Sequence, residues 1–252
     1  VCPFIPSFNK YLLECSVKTK LISLIWSTIF LFISSGTRWS KLLFPASKWN
    51  IGIFLLLAEI ADRLKDKFQS RFIFHNKRFS KLDLVTKNKF DAIIFDLGLS
   101  SIQLDDLSRG FSFKSKNKLN MSMGQTSRSA KEILNTYNIQ DLKDIIKVFG
   151  EEEEAKKIAK NIVKERTESQ ILNTDDLVKI IKKSKKKNFK KKIDPSTKTF
   201  QAIRIFVNQE ISELIEGIIK ATKVLKPGGK LIVISFHSIE DKIIKFYFKN
   251  FS

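Results

Sequence analysis

Short apolar runs that stop abruptly at polar residues predict the strands of a buried β-sheet. The run Ala92 to Phe95 has the length and continuous apolar character of a strand covered on both faces, as in a parallel sheet, and Asp96-Leu97-Gly98 ends it. A second run, Lys230 to Ser235, follows a turn at Leu225 to Gly229, and Arg71 to Asn76 is typical of a third strand.

The region from Ser127 to about Lys192 shows mainly the repeat of amphipathic helices. Glu151 to Glu168 carries apolar residues at helical spacing, and its acidic first turn suits the positive end of a helix dipole. Thr174 predicts the N-cap of a further helix. One continuous helix is predicted from about Thr199 to Val224, so strands and helices together indicate an α/β fold.

Polar side chains follow two of the predicted strands. Ligands of open α/β sheets bind beyond the carboxyl ends of the strands, so Asp96 and the turn Ser100 to Gln103 are expected to face a ligand. His237, Ser238, Glu240 and Asp241 would lie at the same edge of a parallel sheet, where a polar cluster is a functional candidate. The alternatives are an ordinary polar loop after Asp96 and a helix cap in which Ser238 and Asp241 satisfy the first turn.

The charge balance favours a polyanionic partner. The chain has 46 Lys+Arg against 26 Asp+Glu, a formal net charge of +20. RNA is the natural candidate and an anionic membrane surface is the rival, although an AT-rich gene also produces many lysines. The basic run Lys182 to Lys192 is the best candidate for phosphate contacts, and a solvated Lys-rich segment is its equal alternative.

The first sixty residues differ in composition from the rest. All three Trp and both Cys lie there, and Cys2 and Cys15 have no metal-ligand spacing, which fits a reducing cytoplasm. The stretch Leu21 to Ile33 could be a signal-peptide core or a membrane anchor, but it is shorter than the roughly 20 apolar residues that span a bilayer. The membrane interpretation is therefore kept only as an alternative.

Two long strings of residues carry a family resemblance. Asp96 to Phe113 followed by Leu119 to Gly124, and then Thr199 to Leu214 followed by Leu225 to Phe248, occur in the order typical of one family. They resemble the bacterial 16S ribosomal RNA (cytosine-N(4)) methyltransferases of the MraW type. The resemblance is good from about Asp62 onward and poor before it.

The resemblance implies an α/β, Rossmann-like methyltransferase sheet that uses S-adenosylmethionine to methylate a cytidine amine in 16S ribosomal RNA. No metal is implied, and the target base has to be unstacked to be reached. The residues that match the family's cofactor contacts are Gly36, Phe79, Asp96 and Gln103. The polar groups expected at the reacting amine are Asp96, Ser100, Ser101 and His237.

The N-terminal segment departs from this family pattern. Gly36 to Lys41 stands where the family has a Gly-x-Gly-Gly-His loop, and the bulky Arg38 and Trp39 hinder close approach of the backbone to a cofactor. Phe54 stands in place of the carboxylate expected to accept the ribose hydroxyls. Compensating frameshifts and true divergence are both open explanations. A catalytically dead RNA-binding remnant is therefore the alternative to an active enzyme.

The expected architecture has two parts. Residues 1–104 and 199–252 form the methyltransferase core, in which 1–60 are atypical, and residues 105–198 form a helical, RNA-facing insert. Because family members continue beyond the equivalent of Phe251 and Val1 is no initiator, the resemblance implies a fragment. A cytoplasmic location is expected.

Overall fold

The computed structural model describes residues 30–33, 42–45, 66, 72–75, 77–84, 89–98, 107–123, 128–185 and 194–251. Strands alternate with helices through these residues. The strands are β1 (Phe30–Ile33), β2 (Leu42–Pro45), β3 (Phe72–His75), β4 (Phe90–Asp96) and β5 (Leu225–Ile234). The strands predicted around Ala92 and Lys230, and the one within Arg71 to Asn76, are confirmed.

β4 is the central strand of a three-stranded sheet. It pairs in parallel with β5, which places Asp96 beside Ile234, and it pairs antiparallel with β1. β2 and β3 form a separate parallel pair. The sheet is therefore mixed rather than wholly parallel, with its antiparallel strand at an edge, an arrangement common in α/β proteins.

Two details of the predicted elements were wrong. The turn predicted at Leu225 to Gly229 lies inside β5, where the pairing with β4 shifts register between Phe90 and Ala92 and Gly228 has φ +76°. An irregularity of this kind absorbs an extra residue without ending the strand. The helix predicted from Glu151 begins only at Ala155, because Glu151 itself is left-handed, with φ +48°.

The α-helices of the described residues follow in the same order. They are α1 (Ala130–Thr136), α2 (Ile139–Gly150), α3 (Ala155–Glu168), α4 (Thr174–Ser184), α5 (Thr197–Asn208), α6 (Glu210–Val224) and α7 (Ser238–Phe251). Short 3-10 helices span Phe79–Leu84 and Leu107–Arg109. α4 begins one residue earlier than predicted, since Asn173 rather than Thr174 is its N-cap and forms a capping box with Asp176.

The single helix predicted from Thr199 to Val224 is broken into α5 and α6 at Gln209. Gln209 has φ +55°, a left-handed conformation that ends α5. The side chains on either side hold the break, because Arg204 of α5 pairs with Glu210 of α6 through two hydrogen bonds. Apolar periodicity cannot show such a break, since the apolar residues continue on both sides of it.

The break also separates two hydrophobic cores. Phe200, Ile203 and Val207 of α5 belong to a core formed with helices α1 to α4, whereas Leu214 and Ile218 of α6 pack against the sheet. The first core includes the buried Leu119, Met121, Ile133, Leu142, Ile146, Ile158, Ile162 and Ile181. The second includes Leu82, Phe90, Ile93, Phe95, Leu97, Ala221 and Ile244.

Within the described part of the chain, no helix is long and apolar enough to cross a membrane. Residues 30–33 of the apolar stretch Leu21 to Ile33 form β1, and residues 21–29 lie outside the described ranges.

Candidate functional site

Asp96 is a buried carboxyl group at the carboxyl end of the central strand. The residue is 7% exposed, and its Oδ1 has no hydrogen-bond partner among the residues that the structure describes. Burial raises the pKa of Asp96 to about 6. A carboxyl group whose charge costs stability, placed at the end of a parallel strand, is a candidate functional group.

The turn after Asp96 packs against the end of β5. The Leu97 N–H donates to the carbonyl of Ile234, 3.1 Å away. Gly98 has φ +98°, and a Cβ added there would lie 3.0 Å from Cδ2 of Phe236. Glycine is therefore required on two grounds, backbone conformation and close approach. The structure thus brings the two predicted strand-end segments together.

His237 and Glu240 cap the first turn of α7. The Glu240 N–H donates to Nδ1 of His237 at 3.4 Å, and the Phe236 N–H donates to Oε2 of Glu240 at 3.0 Å. The cap expected from sequence exists, but with different residues. Ser238 instead donates to Glu151 at 2.5 Å, and Asp241 pairs with Lys245.

A buried ionic cluster lies beside this cap. Arg204 donates from Nε to Oε1 of Glu210 at 2.9 Å and from Nη2 to Oε2 at 3.1 Å. One donor atom of each of Glu210, His237 and Glu240 lies within 4.8 Å of the others. Burial raises the pKa of Glu210, and the charge of Arg204 acts in the opposite direction.

The donor chemistry of this cluster does not fit a metal ion. A histidine that binds metal through Nε2 carries its proton on Nδ1, but Nδ1 of His237 accepts the Glu240 N–H. Both oxygens of Glu210 already accept hydrogen bonds from Arg204. The neutral His237 tautomer consistent with these bonds has its proton on Nε2, which lies 3.2 Å from Oε1 of Glu240.

Phe79 lies between the sheet and α6. Its ring centroid is 5.4 Å from that of Phe95, and a Cβ on Gly217 would lie 2.2 Å from its Cδ2. Gly217 therefore makes room for this ring. Packing against the core explains the position of Phe79, and a cofactor contact through the rest of the ring stays a prediction.

The structure describes only some of the other predicted site segments. Gly36, Ser100, Ser101 and Gln103 lie outside the described residues, and so does Phe54. Of the basic run Lys182 to Lys192, the structure describes residues 182–185, among which Lys183 pairs with Glu165 and Lys185 with Glu152.

Sequence reasoning missed Asn208, which holds the loop of the family-like segment Leu119 to Gly124. Asn208 donates from Nδ2 to the carbonyl of Met121 at 2.8 Å, and its Oδ1 accepts the Met123 N–H at 2.7 Å. Arg109 donates to the carbonyl of Ser122 in the same loop. The signal available in the sequence was a polar residue at the end of an apolar helix face. The structure leaves this residue only 7% exposed.

Comparison with known proteins gives one family. The model of the MraW methylase family matches residues 56–252. Among curated relatives, each named ribosomal RNA small subunit methyltransferase H, the Bartonella henselae protein is 44% identical over 185 residues, 73% of this chain and 54% of the relative. The Rickettsia canadensis protein is 42% identical over 191 residues, 75% of this chain and 61% of the relative.

A third relative, from Ehrlichia ruminantium, is 43% identical over 195 residues, 75% of this chain and 64% of its own length. The chain thus spans between about half and two thirds of the relatives it matches. The family model begins near the position at which the resemblance becomes good in the sequence, and it covers most of the chain. The predicted family and the predicted α/β methyltransferase fold class are confirmed. The chain belongs to the MraW methylase family.

Proposed function

We propose that this protein transfers a methyl group from S-adenosylmethionine to the N(4) amine of a cytidine in 16S ribosomal RNA. The observation that carries the proposal is the buried Asp96 at the end of β4, in a chain whose family is methyltransferases. The relatives are named for methylation of ribosomal RNA of the small subunit.

Cytidine N(4) is a poor nucleophile because its lone pair is delocalised into the ring. A site that accelerates its methylation has to orient the amine and accept its hydrogen bonds, so that the lone pair localises as the new bond forms. Asp96 suits this role because Oδ1 of its buried carboxyl group has no hydrogen-bond partner among the described residues and because burial raises its pKa to about 6. Ser100, Ser101 and His237 are proposed to complete the polar surroundings.

S-adenosylmethionine supplies an electrophilic methyl group on a sulfonium when it is bound. The Asp96 carboxyl group fits such a group, because a positively charged sulfonium nearby would offset the cost of burying a carboxylate at the end of the strand. Its Oδ1, which has no partner among the described residues, is available for this interaction. Phe79, Gln103 and Gly36 are the further residues proposed to hold it, in keeping with the family pattern. Asp96 is proposed to accept a hydrogen bond or to hold a charge there.

The partner proposed for this strongly basic chain is 16S ribosomal RNA in the small subunit, in the cytoplasm. We propose the division into a methyltransferase core of residues 1–104 and 199–252 and an RNA-facing insert of residues 105–198. The packing of α5 with α1 to α4 supports a substantial helical part beside the sheet, with α5 as the element that joins the two.

The test is methyl transfer to small ribosomal subunits that lack the modification, with the product nucleoside identified by mass spectrometry. N(4)-methylcytidine should form with the parent chain and decline on the order of 10²-fold with Asp96→Asn. Asp91→Asn is the matched control, since it removes the same charge from the same strand at a residue paired with Lys226. RNA binding without product from the parent chain would instead favour the catalytically dead remnant, which the substitutions Arg38, Trp39 and Phe54 suggest.

A further inference from the structure

We propose that Glu210, held by Arg204, is a positioning residue: it fixes the buried turn at His237 and Glu240, and through that turn the backbone beside Asp96. The catalytic consequence of this role rests on the proposed function. Glu210 itself is not assigned a contact with cofactor or RNA.

Glu210 lies at the break between α5 and α6. Glu210 follows Gln209, whose left-handed φ of +55° redirects the chain from the helical core to the sheet core. The two hydrogen bonds from Arg204 hold the Glu210 carboxylate in one orientation, and both side chains are largely buried, 18% and 12% exposed. A bidentate pair of this kind restricts rotation as well as distance.

Glu210 completes a buried cluster of ionisable side chains with Arg204, His237 and Glu240. Glu240 is 4% exposed, and the ring of His237 is 9% exposed and lies within 4.8 Å of both carboxylates. The Arg204 guanidinium pairs with the Glu210 carboxylate. Nε2 of His237 lies 3.2 Å from Oε1 of Glu240, but the geometry of the two atoms is not that of a hydrogen bond. The carboxylate of Glu210 therefore limits where the ring can lie.

The turn at His237 and Glu240 connects this ring to Asp96. Glu240 holds the Phe236 N–H at 3.0 Å, and the Phe236 ring packs over Gly98, two residues beyond Asp96. The Leu97 N–H also binds the carbonyl of Ile234. A displacement of the His237–Glu240 turn would therefore shift the backbone on which the Asp96 carboxylate is carried.

The experiment uses the two histidines of the chain as probes, because nitrogen-correlated NMR spectra of His75 and His237 can be assigned by substitution of either one. Glu210→Gln should shift the ring signals of His237 and the backbone amide signals of Phe236, Leu97 and Gly98, and leave His75 unchanged. Glu216→Gln is the control, since it makes the same change at an exposed position of the same helix, and it should move none of these signals.

Methyl transfer is the second readout. Misplacement of the Asp96 backbone should lower kcat on the order of 10-fold to 100-fold for Glu210→Gln and leave KM for the RNA within about two-fold. Arg204→Lys keeps the charge but not the two-point contact, and it should shift the same NMR signals by less, which keeps the test valid if Glu210→Gln fails to fold.

The two proposals fail in different ways. Unchanged His237 and Gly98 signals in both folded variants would overturn the positioning role, whatever the activity. A parent chain that forms no N(4)-methylcytidine would overturn the proposed function, while shifted signals in the same sample would still support the positioning contacts. If Glu210→Gln and Arg204→Lys only lower stability and leave KM and kcat of the folded protein unchanged, the pair of Arg204 and Glu210 serves the fold alone. The positioning role would then be wrong.

Discussion

At the scale of single residues, Asp96 shows a conflict between stability and function. Its carboxyl group is buried, its Oδ1 has no hydrogen-bond partner in the described part of the chain, and its pKa is raised from 3.8 to about 6 because burial penalises the charged form. A carboxylate that served the fold alone would have hydrogen-bond partners that lower its pKa. The absence of such partners for Oδ1 among the described residues favours a role in binding or catalysis.

The pH dependence of stability follows from this raised pKa. Between about pH 4 and pH 6 the unfolded chain releases the Asp96 proton while the folded chain keeps it, so the free energy of unfolding falls as pH rises through this window. We therefore expect Asp96→Asn to be more stable than the parent above pH 6, with the difference vanishing below pH 4. Urea titrations of both proteins across this range, with Asp91→Asn as the control, would test it. A constant difference would contradict the raised pKa.

Asn208 is a second residue whose role is clear only from the structure. It accepts the Met123 N–H and donates to the carbonyls of Met121 and Arg204, although it is nearly buried. We expect Asn208→Ala to lower the free energy of unfolding by about 1 to 3 kcal/mol, because the part-buried Met123 N–H loses its acceptor.

Asn250→Ala is the matched control for this prediction, since Asn250 is exposed and binds only within its own helix, to the carbonyl of Phe246. Chemical denaturation of both variants supplies the measurement. Equal losses in the two would show that the loop from Met121 to Met123 does not depend on Asn208.

At the scale of elements, sequence patterns were most informative where a strand or helix face is uniformly apolar. Ala92 to Phe95 predicted β4 and put Asp96 at its end, and the same argument found β5. The patterns failed at Gln209, where Arg204 of α5 pairs with Glu210 of α6, and at the cap of α7, where His237 and Glu240 take the place of Ser238 and Asp241. Both features depend on individual side chains rather than on an apolar repeat. The pairing of Arg204 with Glu210 and the use of His237 as a cap leave no periodic signal.

Gly217 offers a test of how α6 packs on the sheet. A Cβ at this position would lie 2.2 Å from the ring of Phe79 and 3.4 Å from that of Phe95. We expect Gly217→Ala to cost about 1 to 3 kcal/mol of stability by overpacking, in spite of the better helix propensity of alanine.

The combination of Gly217→Ala with Phe79→Leu should recover part of this loss, since the smaller side chain makes room for the new methyl group. Thermal melts of the single and double variants measure the coupling. Strict additivity would contradict the contact between Phe79 and Gly217.

At the scale of the whole molecule, the two hydrophobic cores of the described residues and the large positive charge agree with the proposed function, in which RNA is held against a cofactor-binding sheet. The net charge can be counted from the sequence, and the sequence pattern predicted a helical region. The pattern could not show that α5 belongs to the helical core and α6 to the sheet core. Both helices have apolar faces of similar character. Which core a face joins is decided by the turn at Gln209, a local conformation that residue types do not specify.

The basic run gives a prediction at this scale. Replacement of Lys186, Lys187, Lys190, Lys191 and Lys192 by Gln should weaken RNA binding for all sequences. Each lost phosphate contact should reduce the slope of log affinity against log salt by about 0.7 to 0.9. Lys185 is left intact because it pairs with Glu152.

Replacement of the exposed Lys249 of α7 by Gln provides the control, compared per charge removed. Binding of small-subunit RNA is measured at several salt concentrations. Equal effects per charge for the two sets would assign the basic run to solubility and general attraction, rather than to direct contact.

Calorimetric titration of S-adenosylmethionine into the parent chain, Asp96→Asn and Asp91→Asn at pH 8 and pH 5 tests most directly whether the cofactor binds at the end of β4. We expect the parent to bind more weakly than relatives with an intact glycine-rich loop, and to lose affinity further at pH 5, where Asp96 is protonated. Asp96→Asn should bind the cofactor at least about 10-fold more weakly than the parent at pH 8, as expected for a lost charge-assisted contact. Its affinity should not depend on pH in this range. Asp91→Asn should behave as the parent. Binding that is equally strong in the parent and in Asp96→Asn at both pH values, or no binding to the parent at all, would contradict the account.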